Sequence, residues 1–140
     1  MKIMLVGSMA FVRDMVNLQK LLNKFGHKVS MPSGSKPHLK DSSFVDSLEK
    51  NLEFCIKENI MKSNFDLVAE SDAILVVNKN RNGLDGYIGI SALMEMAVAH
   101  HLNKKIFLLN KVPHFDKVRW AHEVAIMQTT VINGDLKKIK

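Results

Sequence analysis

Three short, unbroken apolar runs limit most strictly what this chain can fold into. They lie within Lys2–Val6, Ala73–Val77 and Lys105–Leu109, the first and third opened by a lysine. Each is too short to be a helix of ordinary length. Each is also too continuous for a strand with one face in water, which would alternate apolar and polar residues. Such runs suit strands covered on both faces, as in a parallel sheet sandwiched between helices. The segments between them carry a helical period. Phe11, Met15, Leu18, Leu21, Leu22 and Phe25 recur at threes and fours, and Gly26 supplies the stop.

The remaining elements follow from the same reading. His27 to Met31, closed by Pro32, reads as a second strand, and Ser33 to His38 as a polar loop. A second helical pattern runs from Ser42-Ser43 to Met61, with a break or bend expected at Ser63-Asn64. Ile90 to His101 reads as a helix, Pro113 to Met127 as irregular and then helical, and Thr129 to Ile132 as a last strand. Gly134 to Lys140 reads as a polar tail. The order is βαβαβαβαβ. Right-handed crossovers then predict a flavodoxin-like three-layer α/β sandwich, with five parallel strands in the order 2-1-3-4-5. With 140 residues and 46% apolar content, the chain is expected to form a single domain, 1–140.

Composition excludes several functions. No apolar run reaches the ~20 residues of a membrane span, and the N-terminal run is too short for a signal peptide. A single cysteine, Cys55, forbids an internal disulfide and fits a cytoplasmic location. Cys55 lies in a helix-period segment and reads as a buried, inert thiol. The formal charge of +6 suits an anionic ligand. The lysines are nevertheless scattered and lack the interleaved aromatics of a single-strand binder, so nucleic acid is not the expected partner. Adjacent His100 and His101 point about 100° apart on a helix, and no paired histidines with a carboxylate occur, so no metal is expected. GxGxxG after strand one and GK[ST] are both absent, which argues against a nicotinamide dehydrogenase and an ATPase. The first loop lacks the Ser/Thr-rich cradle of a flavin mononucleotide carrier. No cofactor is expected.

The chemistry is expected where strands one and three end. Strand one delivers Gly7-Ser8-Met9, and strand three delivers Asn78 and the loop Asn82-Gly83-Leu84-Asp85-Gly86-Tyr87-Ile88-Gly89. Three glycines in that loop require tight turns or close approach to a ligand. Ser8 either caps the following helix or holds an anion. Glu95 follows the loop, flanked by the apolar Leu93, Met94, Met96 and Ala97. It reads as a reactive carboxylate or as a helix N-terminal acid favoured by the macrodipole. Tyr87 reads as a stacking group or an exposed loop residue.

Gly7-Ser8 after strand one, Ser71-Asp72 before strand three and the Gly-rich loop running into Glu95-Met96-Ala97-Val98-Ala99-His100 together resemble the nucleoside 2-deoxyribosyltransferase family. That family includes the 2′-deoxynucleoside 5′-phosphate N-hydrolases. The resemblance extends from Lys2 to about Leu136. It implies that Glu95 is a nucleophile that attacks the anomeric carbon of a nucleoside or nucleotide and displaces the base. Water or a second base then resolves the glycosyl-enzyme. It further implies that Asp72 lies near base and sugar, and that the first loop, Gly7, Ser8 and Met9, together with Ser91 holds a substrate's 5′-phosphate. Tyr87 and Gly89, from their place in the Gly-rich loop, are expected as further substrate contacts. Ser91 has a helix-capping alternative, and Asp72 the alternative of a plain turn residue. The family's loop aspartate, six residues before the glutamate, is Gly89 here. The nearest acid is Asp85, expected to fold back into the site. The resemblance implies a homo-oligomer whose subunits complete each other's pockets. The rival expectation, which the Gly89 departure favours, is a non-catalytic nucleotide-binding or sensor module.

Overall fold

The computed structural model describes residues 1–140. Five parallel strands, β1 (Lys2–Val6), β2 (Lys28–Ser30), β3 (Ala73–Val76), β4 (Lys105–Leu108) and β5 (Thr130–Val131), form one sheet in the order β2-β1-β3-β4-β5. β1 and β3 are interior strands, joined in register from Ile3 opposite Ala73 to Val6 opposite Val76. The fold is therefore the flavodoxin-like α/β sandwich that the apolar runs predict.

Side-chain alternation divides the core in two. Ile3, Leu5, Leu75 and Phe107 point to the face covered by α1 (Val12–Lys24), through Met15 and Leu22. Met4, Val6, Ile74, Val76 and Leu108 point to the other. There α4 (Ile60–Glu70), α5 (Ile90–His101) and α6 (Trp120–Ile126) supply Val68, Ala92, Met96, Ala99 and Val124. Strands buried on both sides explain why the runs are apolar throughout except at Lys2 and Lys105, the exposed first residues of β1 and β4. No helix is long and apolar enough to cross a membrane.

Three expectations are corrected. The presumed loop 33–38 contains a helix, α2 (Ser35–Lys40). Pro37 is its third residue, in the first turn, where a missing N–H breaks no helical bond. Gly34 enters it at φ 117°. The second helical pattern opens as a 3-10 segment, Ser42–Asp46, continues as α3 (Leu48–Lys57), and breaks at Asn59 rather than at Ser63-Asn64. Asn59 takes a left-handed conformation, φ 50°, which asparagine tolerates better than most residues. The tail is not simply polar: Leu136 and Ile139 are buried against the α1 face.

Two local features shape the carboxyl end of the sheet. A Cβ at Gly7 would lie 2.8 Å from the Val77 carbonyl and 2.9 Å from Met15 Cε, so only glycine lets the β1 loop pass this close to β3. Beyond β3, Asn78 is fully buried and bonded reciprocally to Asn110. Its Nδ2 donates to the Asn110 carbonyl at 2.7 Å, and its Oδ1 accepts the Asn110 N–H at 2.9 Å. The Asn110 Nδ2 completes the exchange by donating to the Asn78 carbonyl at 3.0 Å. The pair ties the ends of β3 and β4 together and fixes where the Gly-rich loop begins.

Candidate active site

A cavity of about 360 Å³ opens at the carboxyl ends of β1 and β3. This is the end of an open parallel sheet, where the strand order reverses, at which ligands bind. Its size falls within the ~300–1,000 Å³ of small-molecule sites. Gly7, Ser8, Met9, Tyr87, Gly89, Ser91 and Glu95 all line it. Glu95 is its one acid and Arg81 its one permanent cation. Apolar walls come from Val45, Phe54 and Ile60 among others.

Glu95 is the sixth residue of α5 and only 5% exposed. It lies beyond the first turn, so the reading as a helix N-terminal acid does not apply. Burial pushes its carboxyl from the ordinary 4.5 up to about 7, and the neighbouring Asn64 side chain pulls against that rise. Asn64 is itself buried on α4, and its Oδ1 accepts the Ser33 N–H at 2.7 Å. That bond fixes the amide's orientation and leaves Nδ2 as its donor.

The Gly-rich loop is a rigid platform more than a ligand cradle. Arg81 and Leu84 exchange backbone hydrogen bonds of 3.1 and 3.0 Å around Asn82-Gly83, both at positive φ (52° and 79°). This is the Asn-Gly turn that suits a two-residue hairpin. At Gly86 a Cβ would come within 2.1 Å of the Lys111 carbonyl, so that glycine permits close packing of two loops. Only Gly89 of the three faces the cavity. It precedes α5 in an extended conformation without a side-chain cap. Ser91 is the second residue of that helix and does not cap it.

Ser8 caps the short Met9–Phe11 3-10 turn, accepting the Ala10 N–H at 3.2 Å. It also accepts a 2.7 Å bond from Arg81 Nη1. Tyr87 packs edge-on to Phe11 at 6.5 Å, with the Arg81 guanidinium 5.6 Å from its ring centre. It is partly buried rather than an exposed loop residue. Cys55 lines the cavity half-buried, with Sγ 3.2 Å from Asn51 Oδ1, and burial pushes its thiol pKa up.

Two acids named from the sequence lie elsewhere. Asp72 is exposed, and its Oδ2 accepts the Lys2 N–H at 2.6 Å. It therefore sits at the amino end of β1, across the sheet from the cavity. The residue just before a parallel strand must lie at that end, so the turn reading describes it. Asp85 does not fold back: it is exposed and held by Asn80 Nδ2 at 2.8 Å.

The structure adds residues that the sequence did not single out: Ser33, His38, Asn64 and Arg81. His38 is 4% exposed, and its Nδ1 has no hydrogen-bond partner. Its ring stands edge-on to Phe44 at 4.9 Å, and burial lowers its pKa.

No family model matches the chain, and no curated protein does. Among solved structures it is similar to the Clostridium botulinum CMP N-glycosidase BcmB. The TM-score is 0.49 and the identity 16%, over 94% of this chain and 85% of that one. The reading of the cavity rests on its own geometry and on the sequence.

Proposed function

We propose that the cavity cleaves the N-glycosidic bond of a nucleoside or nucleoside 5′-monophosphate, with Glu95 as nucleophile. The observation that carries this reading is a lone carboxylate, buried without a cationic partner, in a nucleotide-sized cavity at the switch point of the sheet. An anion held there is poorly solvated. It gains most from a neighbour that becomes positive, which is what the anomeric carbon does as the base departs. Bond formation between a Glu95 oxygen and that carbon, with the C–N pair leaving on the base, splits one hard displacement into two easier ones. Water or an acceptor base then opens the glycosyl ester. Asn64 orients the carboxylate, and Ser91 and Tyr87 contact the substrate.

A second reading, a nucleotide-binding module without catalysis, has one feature in its favour. Position 89 carries no acid, although its extended backbone, with only the Tyr87 ring at an ordinary 3.7 Å from a Cβ, would admit one. Incubation with a panel of ribo- and deoxyribonucleosides and their 5′-monophosphates, read by chromatography for free base, decides between the two. Base release that is lost in Glu95→Gln supports the enzyme. Binding without base release supports the module.

The active unit is proposed to be a homo-oligomer. α3 has no buried residue, and Leu48, Leu52 and Ile56 form a row on it at spacings of four, exposed by 75%, 60% and 72%. Leu48 and the 82%-exposed Ile90 also line the cavity, so a second copy on this row would seal the cavity edge.

A further inference from the structure

We propose that Arg81 is the receptor for a phosphate monoester on the ligand, and that Asp46 competes with that group for the same guanidinium edge. The inference rests on the reading of the cavity as a nucleotide site. It makes the 5′-monophosphate, rather than the free nucleoside, the preferred ligand.

Arg81 is built for such a role. Its backbone is held by the Asn82-Gly83 turn. Its guanidinium is placed by Ser8 Oγ on Nη1 at 2.7 Å and lies 5.6 Å from the Tyr87 ring centre. A guanidinium fixed in this way presents a planar fork matched to two oxygens of one phosphate. Ser8 and Tyr87 both line the cavity, so the fork is displayed within it. The Ser8 hydroxyl hydrogen is still available to donate, because its oxygen acts only as acceptor toward Ala10 N–H and Arg81.

The remaining edge of the fork is weakly held. Nη2 lies 3.2 Å from Asp46 Oδ1, and the two side chains are 21% and 79% exposed. An exposed, single-point ion pair of this kind is readily exchanged for a better anion. The other cation of the loop, Lys79, is engaged by Asp14 at 2.8 Å, outside the cavity. Arg81 is thus the one arginine or lysine among the residues that line the cavity; Lys36 and Lys40 lie in the adjoining pocket beyond Pro32–Gly34. Asp46 ends the 3-10 segment Ser42–Asp46, which leads into α3, so displacing it frees a tie across the cavity mouth.

The test compares wild type, Arg81→Gln, Arg81→Lys and Asp46→Asn. Calorimetric titrations use inorganic phosphate and matched nucleoside/5′-monophosphate pairs. Wild type should bind the monophosphate at least tenfold tighter than its nucleoside. Arg81→Gln should erase that preference while holding nucleoside affinity within about threefold. Arg81→Lys should keep only part of it. Asp46→Asn should tighten phosphate and monophosphate by about threefold and leave the nucleoside unchanged, a gain that a merely structural ion pair would not give. In turnover, Arg81→Gln should raise KM for the monophosphate far more than it lowers kcat. Equal loss for nucleoside and monophosphate in Arg81→Gln, or weaker phosphate binding in Asp46→Asn, overturns the proposal. If Arg81→Gln does not fold, Asp46→Asn decides alone. An Arg81-dependent monophosphate preference without base release would refute the glycosidase reading and leave this inference standing. Base release that ignores both phosphate and Arg81 would do the reverse.

Discussion

Glu95→Gln is expected to stabilise the protein above neutral pH, and the size of the effect follows from burial. The carboxyl titrates at about 7 in the folded chain, against an ordinary 4.5. Between those values the folded state binds more protons than the unfolded one, so stability falls as pH rises. The penalty is negligible well below pH 4.5 and complete above about pH 7. At about 1.4 kcal/mol per pH unit it amounts to roughly 3 kcal/mol. Glutamine keeps the shape and carries no charge, so the variant escapes the penalty. Urea unfolding should show the variant more stable by about 3 kcal/mol at pH 8, a midpoint shift of about 1–3 M for a small protein. At pH 4.5 the two proteins should agree within about 0.5 kcal/mol. Equal stability at both values, or a less stable variant at pH 8, would refute the claim that Glu95 is held unfavourably as an anion.

The same ionisation governs turnover. kcat/KM should rise with pH through about 7 and level off above it, because only the carboxylate is nucleophilic; an optimum that declines from pH 5 to 8 would contradict the assignment. Asn78→Ala should lower stability by roughly 1–3 kcal/mol, since the part-buried Asn110 N–H loses its acceptor; chemical denaturation measures this. His38 should work in the opposite direction from Glu95. Its lowered pKa makes the folded state bind fewer protons below the ordinary 6.5, so stability is lost on acidification. His38→Phe, which keeps the contact with Phe44, should flatten the fall in melting temperature between pH 7 and 5.

The sheet was legible because strands covered on both faces leave no polar residue inside the run, past the exposed lysine that opens the first and third. Lys2–Val6, Ala73–Val77 and Lys105–Leu109 declare themselves, and right-handed crossovers then leave few orders. Helix α5 was equally clear, from Ile90 to His101. The site was legible only along the chain segments that end at the switch point. Asp72 illustrates a misreading that its position alone corrects: a residue that precedes a parallel strand belongs to the amino end, away from any ligand. Asn64 carried an unread signal. It interrupts the row Ile60, Asn64, Val68 at spacings of four on α4, and a polar residue in an apolar helical row is the informative exception. Arg81 was hidden because the Asn82-Gly83 turn that displays it reads as ordinary loop punctuation. His38 had no local signal, since Pro37 beside it suggested irregular backbone. Its burial depends on contact with Phe44, which lies in a separate element.

The central claim is a covalent bond between Glu95 and the sugar. Rapid-quench intact-mass spectrometry during turnover of the preferred nucleotide, followed by peptide mapping, addresses it directly. A mass gain of one sugar phosphate, or of one sugar for a nucleoside, located on the peptide that carries Glu95 and absent from Glu95→Gln, is the predicted result. Turnover by wild type with no adduct at any quench time, together with Glu95→Gln activity within about tenfold of wild type (~1.4 kcal/mol of barrier), would contradict it.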